Sequence, residues 1–167
     1  MEFFYKYKCV PSKHVKMTTI LVSIHIFLFS ILSVSLLVKE PTVNTWLGNL
    51  FVFLVLFVYL RTYALHPCSI LLSKESLVLK CAFSTKSFNY KYITYIKRGS
   101  MVGGIRRFGS NGIWGYIGII DADKKYHTIF NNEKQIIELS YKNKVYLISC
   151  EQYKEVIEEV NKLITLQ

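Results

Sequence analysis

MTTILVSIHIFLFSILSVSLLV, Met17 to Val38, is a run of twenty-two residues in which His25 is the one ionisable side chain. As a helix it rises roughly 33 Å at about 1.5 Å per residue, which matches a hydrocarbon core of about 30 Å. A second run, TVNTWLGNLFVFLVLFVYL (Thr42 to Leu60), adds nineteen uncharged residues. Its centre, Phe51 to Leu60, is apolar on every face, where a helix lying on a soluble core would keep a polar stripe. Only Lys39, Glu40 and Pro41 separate the runs, so two spans would pack antiparallel and return the chain to the side it left. The chain therefore reads as a basic N-terminal segment (1–16), a transmembrane hairpin (17–65, with spans at 17–38 and 42–60) and a domain at 66–167.

Charge sets the expected orientation. Lys6, Lys8, Lys13 and Lys16 precede the first span, Arg61 closes the second, and the loop between them has no net charge. The positive-inside bias then puts both termini in the cytoplasm. Trp46 is expected at the outer interface, and Tyr59, Arg61 and Tyr63 at the inner one, where amphipathic rings and cations are favoured. A cleaved signal peptide competes for the first run, but the apolar part exceeds an ordinary signal core and no small-residue cleavage site follows. A neutral His25 bonding the facing helix at Asn49 or Thr45 is a simpler reading than a proton relay, which needs a second titrating partner.

The formal charge is +10, and the segments before the first apolar run and after the second are both positive, with sixteen basic and nine acidic residues from Arg61 onward. Beside a bilayer such a surface attracts anionic headgroups. No recognition helix, zinc finger or aromatic RNA-binding signature points to nucleic acid. Cys9, Cys68, Cys81 and Cys150 lie far apart, without the spacing of a zinc site or a disulfide framework, and read as free thiols in a reducing compartment.

From Ser69 the pattern changes to short runs rich in Ile, Val, Tyr, Phe and Thr, broken by Lys, Ser, Asn and Gly. Seven strands are expected near 69–72, 77–82, 88–97, 114–120, 126–130, 135–140 and 145–149. Tyr153, Val156, Ile157, Val160, Leu163 and Ile164 then recur at helical spacing, with Ser149 and Gln152 as an expected capping box. The fold class expected is mainly β within α+β: a two-helix hairpin followed by a seven-stranded barrel whose mouth is capped by a C-terminal helix.

Four stretches carry a family resemblance: YKYITYIKR (Tyr90 to Arg98), RRFGSNGIWGYIGII (Arg106 to Ile120), YHTIFNNEKQIIEL and KVYLISCEQYKEVIEEV. Over about Pro67 to Leu166 the chain resembles the membrane-anchored bacterial PH-like (pleckstrin homology-like) domain proteins. The resemblance implies a binding or scaffolding module without catalysis or cofactor, in a bacterial cytoplasmic membrane. In the residues themselves, Gly109 and Gly112 read as turn formers, while Gly115 and Gly118 permit a bulge or bend within a strand. A phosphate loop would need a helix and a lysine after the glycines, and a strand follows.

No acid, base or nucleophile constellation stands out. Glu151, Glu155, Glu158 and Glu159 read as the solvated face of the last helix, and Asp121 and Asp123 as a polar turn. The best binding patch is Lys97, Arg98, Arg106 and Arg107, flanking a loop in which Gly103 and Gly104 give mobility and Met101, Val102 and Ile105 an apolar tip. Such a loop suits anionic lipid, and an open barrel edge suits a partner strand. The leading reading is a membrane-tethered adaptor or regulator. The alternative is a homo-oligomeric pore or membrane-disrupting effector, for which Thr18, Thr19, Ser23, Ser30, Ser33 and Ser35 supply some polar packing surface.

Overall fold

Ser12 starts the first helix: its hydroxyl accepts the Val15 N–H at 3.3 Å, satisfying one of the donors a helix start leaves free. In the computed structural model, described for residues 3–165 and without the Phe108 side chain, α1 spans Lys13–Lys39 and α2 spans Val43–Ala64. Pro41 cannot continue a helix, so α1 stops at Glu40, and a reciprocal box between Thr42 and Thr45 starts α2. Both helices run about four residues beyond the apolar runs toward the domain. They are long and apolar enough to cross a membrane, and their large side chains point outward, with Phe27 at 65% and Phe51 at 68% exposure. Between them, Asn49 donates to the Ser33 carbonyl at 3.1 Å and Ser23 bonds the Tyr59 hydroxyl. His25 bonds Leu21 O of its own helix at 2.7 Å, not the expected Asn49 or Thr45.

The remaining elements are β1 (Phe3–Lys8), β2 (Pro67–Ser73), β3 (Ser76–Cys81), β4 (Thr85–Asn89), β5 (Ile93–Arg98), β6 (Ile105–Asn111), β7 (Tyr116–Asp121), β8 (Lys125–Phe130), β9 (Ile136–Tyr141), β10 (Lys144–Ser149) and α3 (Tyr153–Thr165). Met1, Glu2, Leu166 and Gln167, which end the expected N-terminal segment and the expected domain, lie outside the described residues. The strands form two sheets, ordered β1-β2-β3-β4 and β5-β9-β10-β8-β7-β6, antiparallel except where β8 and β10 run side by side in one direction.

The expected seven-stranded barrel is therefore corrected: the described residues form ten strands in two open sheets. Among the described residues the outer strands of the larger sheet, β5 and β6, do not pair with each other, so nothing closes it. Three local features account for the difference. Residues 88–97, read as one strand, are broken at Tyr90–Tyr92 by a single 3-10 turn, where Asn89 Oδ1 accepts the Lys91 N–H at 3.0 Å; β4 joins one sheet and β5 the other. Residues 105–111, read as a loop tip with its basic flank and the start of a glycine turn, form β6. Phe3–Lys8, read as part of a basic tail, pairs along β2.

The main core lies between the sheets, around Ile70, Leu79, Phe88, Leu139 and Ile148, and α3 covers it with Val156 and Val160. This helix lies against β5 and β9 and does not plug a barrel mouth. Ser149 does not cap it either, because its hydroxyl is committed to Asn131. A second core on the outer face of the larger sheet gathers Tyr116, Ile120, Tyr126, Phe130 and Leu147 under Val15 of α1.

Candidate membrane interface

Because β1 and β2 are neighbours in one sheet, the whole helical hairpin is an insertion between two hydrogen-bonded strands. The pairing runs on to the root of the hairpin, where Cys9 N–H donates to Cys68 O at 2.9 Å. Asn131, fully buried just after β8, ties the root together. Its amide donates to Cys9 O at 3.2 Å and Pro67 O at 3.1 Å, its carbonyl oxygen accepts from Ser149 Oγ at 3.1 Å, and its backbone oxygen accepts the Ser12 N–H at 2.8 Å. Each is a satisfied bond in a place where an unmade one is costly. No motif or spacing marks Asn131 in the sequence.

The four cysteines lie along this same end of the domain, on the ends of β1, β2 and β3 and just after β10. All are free thiols, three of them buried. Burial raises the pKa of Cys9, and pushes that of Cys150 up to about 12, so these thiols are poor nucleophiles. Among the described residues no group of three or more His, Cys, Asp or Glu side chains is placed to hold a metal.

The turn between β6 and β7, Gly112 to Gly115, also reaches the hairpin. Trp114 adopts φ +59, a left-handed conformation unusual for a bulky side chain, and its ring lies 4.7 Å from Tyr63, 5.8 Å from Tyr59 and 5.8 Å from His66. Below the turn, Gly109 at φ +114 faces Gly118, and a Cβ on Gly109 would stand 1.8 Å from Ile117 O. The bulge in this ribbon falls between Arg106 and Phe108, not at Gly115 or Gly118.

The expected interface residues divide accordingly. Trp46 is exposed at the far end of α2 from the domain, and Arg61 is exposed in its last stretch. Tyr59 and Tyr63 pack on Trp114, with Tyr63 also edge-on to Phe83 at 5.7 Å, so both rings join hairpin to domain.

The four expected binding cations are not one patch. Lys97 and Arg98 sit on β5 and Arg106 and Arg107 on β6, the two opposite edges of the larger sheet. Arg106 donates to Ser110 O at 2.8 Å and burial lowers its pKa, while Arg107 pairs with Asp121. Lys97 and Arg98 instead border an open groove of about 700 Å³ with Lys134, Glu133 and Glu138. Arg98 lies over the Tyr153 ring at 5.7 Å. Glu138 receives the Tyr95 hydroxyl at 2.7 Å and Lys124 at 3.0 Å, with Lys97 at 3.7 Å. Burial works to raise its pKa, but those donors outweigh it and hold the carboxyl below its ordinary value.

A second basic cluster had no sequence signal, because its members come from three strands. Lys86 lies 4.2 Å over the Tyr146 ring, and the His127 ring lies tilted 5.0 Å from the same ring. Burial, then the charges of Lys86, Lys144 and Lys125, depress the His127 pKa.

No curated protein and no solved structure matches the chain. Residues 68–164, more than half of its 167 residues, match the bacterial PH domain. The match begins on β2 and ends within α3, leaving β1 and the hairpin outside it. Two open sheets closed over by a C-terminal helix, without a metal-binding cluster among the described residues, are the scaffold on which that match falls, and the chain belongs to the bacterial PH domain family.

Proposed function

We propose that this chain is a non-enzymatic binding module of the PH type, tethered by α1 and α2 to the cytoplasmic face of a bacterial inner membrane. The observation that carries the reading is the exposure of apolar side chains around both helices, which rise from adjacent strands of a well-packed domain. Burial of a large apolar side chain is worth about 1.5–3 kcal/mol, so removing so many from water favours lipid by an order of tens of kcal/mol. Lys13, Lys16 and Arg61 lie at the domain end of the helices, which supports a cytoplasmic domain.

Lys97 and Arg98 on their groove are the half of the expected patch available to an anionic headgroup or an acidic partner, and the outer strands β5 and β6 leave edges to which a partner strand can add. The pore reading gains no support from the helix polar groups. Ser23 and Ser30 bond carbonyls one turn back, Ser35 does likewise, and Asn49 closes on Ser33.

Carbonate extraction of membranes from cells making the full chain tests the tether. Retention in the pellet is expected, together with protection of the domain from protease added outside intact cells. Release by carbonate, or digestion from outside, would refute it.

A further inference from the structure

Phe108 to Ile120 is a stretch of thirteen residues without a charge, set between Arg107 and Asp121. It forms the upper part of the β6–β7 ribbon, and its tip stands beside the helices rather than beneath them. Trp114 N–H donates to Thr19 Oγ1 at 2.9 Å. Thr19 is three residues beyond Lys16, the last cation of α1 before its apolar run, or about 4–5 Å farther along the axis. Ile113 and Gly109 border a crevice of about 470 Å³ whose opposite wall includes Val22 and Ile26 of α1 and Val55 and Val58 of α2. Val22 lies six residues past Lys16 and Val55 six residues before Arg61. The tip thus occupies a level past the last charge of each helix, roughly 5–9 Å into the apolar segments.

The backbone of the turn is equipped for that level. Gly112 N–H donates to Gly115 O at 3.0 Å, and Trp114 N–H is taken by Thr19. Ser110 Oγ donates to the carbonyls of Ile113 and Gly115, and Trp114 O bonds His66 Nδ1 at 2.6 Å. A turn in water leaves such groups to solvent, whereas one in lipid must satisfy them within the protein. Two serine bonds, and a threonine and a histidine from elsewhere in the chain, do so for both backbone groups of Trp114 and for the carbonyls of Ile113 and Gly115. The Trp114 ring itself is enclosed by Tyr59, Tyr63 and His66, with its indole N–H buried and unpaired among the described residues.

We propose that the β6–β7 tip is a third membrane-embedded element, immersed in the leaflet next to the domain, with the phospholipid interface as its partner. This rests on α1 and α2 crossing the bilayer. It gives the domain a second point of attachment, fixing its tilt where two helices alone would leave it free to swing.

The test uses the full chain with Trp46→Phe, which leaves Trp114 as the sole tryptophan, in phosphatidylcholine–phosphatidylglycerol proteoliposomes. Lipids brominated near the carboxyl end of the acyl chain should remove about half of the Trp114 emission, and lipids brominated near the methyl end clearly less, as an interfacial depth requires. Because three aromatic rings shield Trp114, a second probe is needed: Asn111→Cys, an exposed position, spin-labelled in a Cys68→Ser background. Its label should collide more with oxygen than with a water-soluble nickel chelate. If the protein resists carbonate while Trp114 is unquenched and the label is open to the chelate, the tip lies in water and the proposal fails, with the tether intact. Release of the protein by carbonate removes the tether itself, and the proposal with it.

Discussion

The helical hairpin and the sheets obey opposite rules of burial within one chain. In α2 no described residue is buried, and in α1 only Val15 and Thr19 are, both where the helix meets the domain. In β9, five of six residues are buried. The same side chains, Leu, Ile, Val and Phe, supply both regions, so the difference lies in what solvates them. It also shows why the two regions are separable. The hairpin is inserted where β1 and β2 meet, and the adjacency of Cys9 and Cys68 does not depend on what lies between them.

The sharpest way to break the comparison is to excise the hairpin. Replacing residues 11–65 by a short glycine–serine turn should abolish carbonate-resistant membrane association yet leave a domain with cooperative thermal unfolding. A chain beginning at residue 66, which also lacks β1, should aggregate, since it bares the edge of β2. If the excised form unfolds without cooperativity, the hairpin is structural and the separation fails.

Within the domain, Phe88→Ala should cost about 3–5 kcal/mol, read by thermal or urea unfolding, because Phe88 is fully buried and meets Tyr141 and Tyr146 edge-on. The matching change on the hairpin, Phe51→Ala, should leave domain unfolding within about 0.5 kcal/mol of the wild type. Asn131→Ala, which strips three side-chain bonds at the junction, is expected to cost roughly 2–3 kcal/mol while carbonate resistance is unchanged.

Smaller effects concern the surface. Lys97→Ala with Arg98→Ala in the excised form should weaken sedimentation with anionic vesicles by about 2 kcal/mol, near 1 kcal/mol for each cation. Arg106→Ala and Arg107→Ala should do less, their guanidinium groups being engaged by Ser110 and Asp121. Equal losses from the two pairs would contradict that division. The smallest change is in pH dependence. A carboxyl whose folded pKa lies below its unfolded value adds stability that is complete above the unfolded value and is lost as pH falls through the folded one. Thermal scans of Glu138→Gln should therefore show a lower midpoint than wild type at neutral pH, and the gap should close in that acidic window.

Some of this was legible before any coordinates. β2, β3, β8, β9 and β10 fall on the alternating runs, and α3 falls on its helical spacing, because each of those signals is contained within one element. β1 was not legible: FFYKYK has the composition of a strand, but its partner lies beyond two helices, and a strand is stabilised by its neighbour. β6 was hidden by Gly109 and Ser110, which weaken its alternation, and Trp114, read as the first residue of a strand at 114–120, lies instead in the turn before β7. The expected binding cations were read as one cluster because they flank a short loop, although four strands lie between β5 and β6.

What the amino-acid sequence determined by itself is the pair of apolar helices with their short turn, and the period of most strands and of α3. Those follow from length, hydropathy and spacing, quantities that local neighbours settle. The tertiary structure alone decided that the helices rise from adjacent strands, that the sheets remain open, that Asn131 and the cysteines meet at the root, and that the β6–β7 tip stands beside the hairpin. Each of these depends on pairing between residues far apart in the chain, where the free energy belongs to the contact and no single segment carries a sign of it.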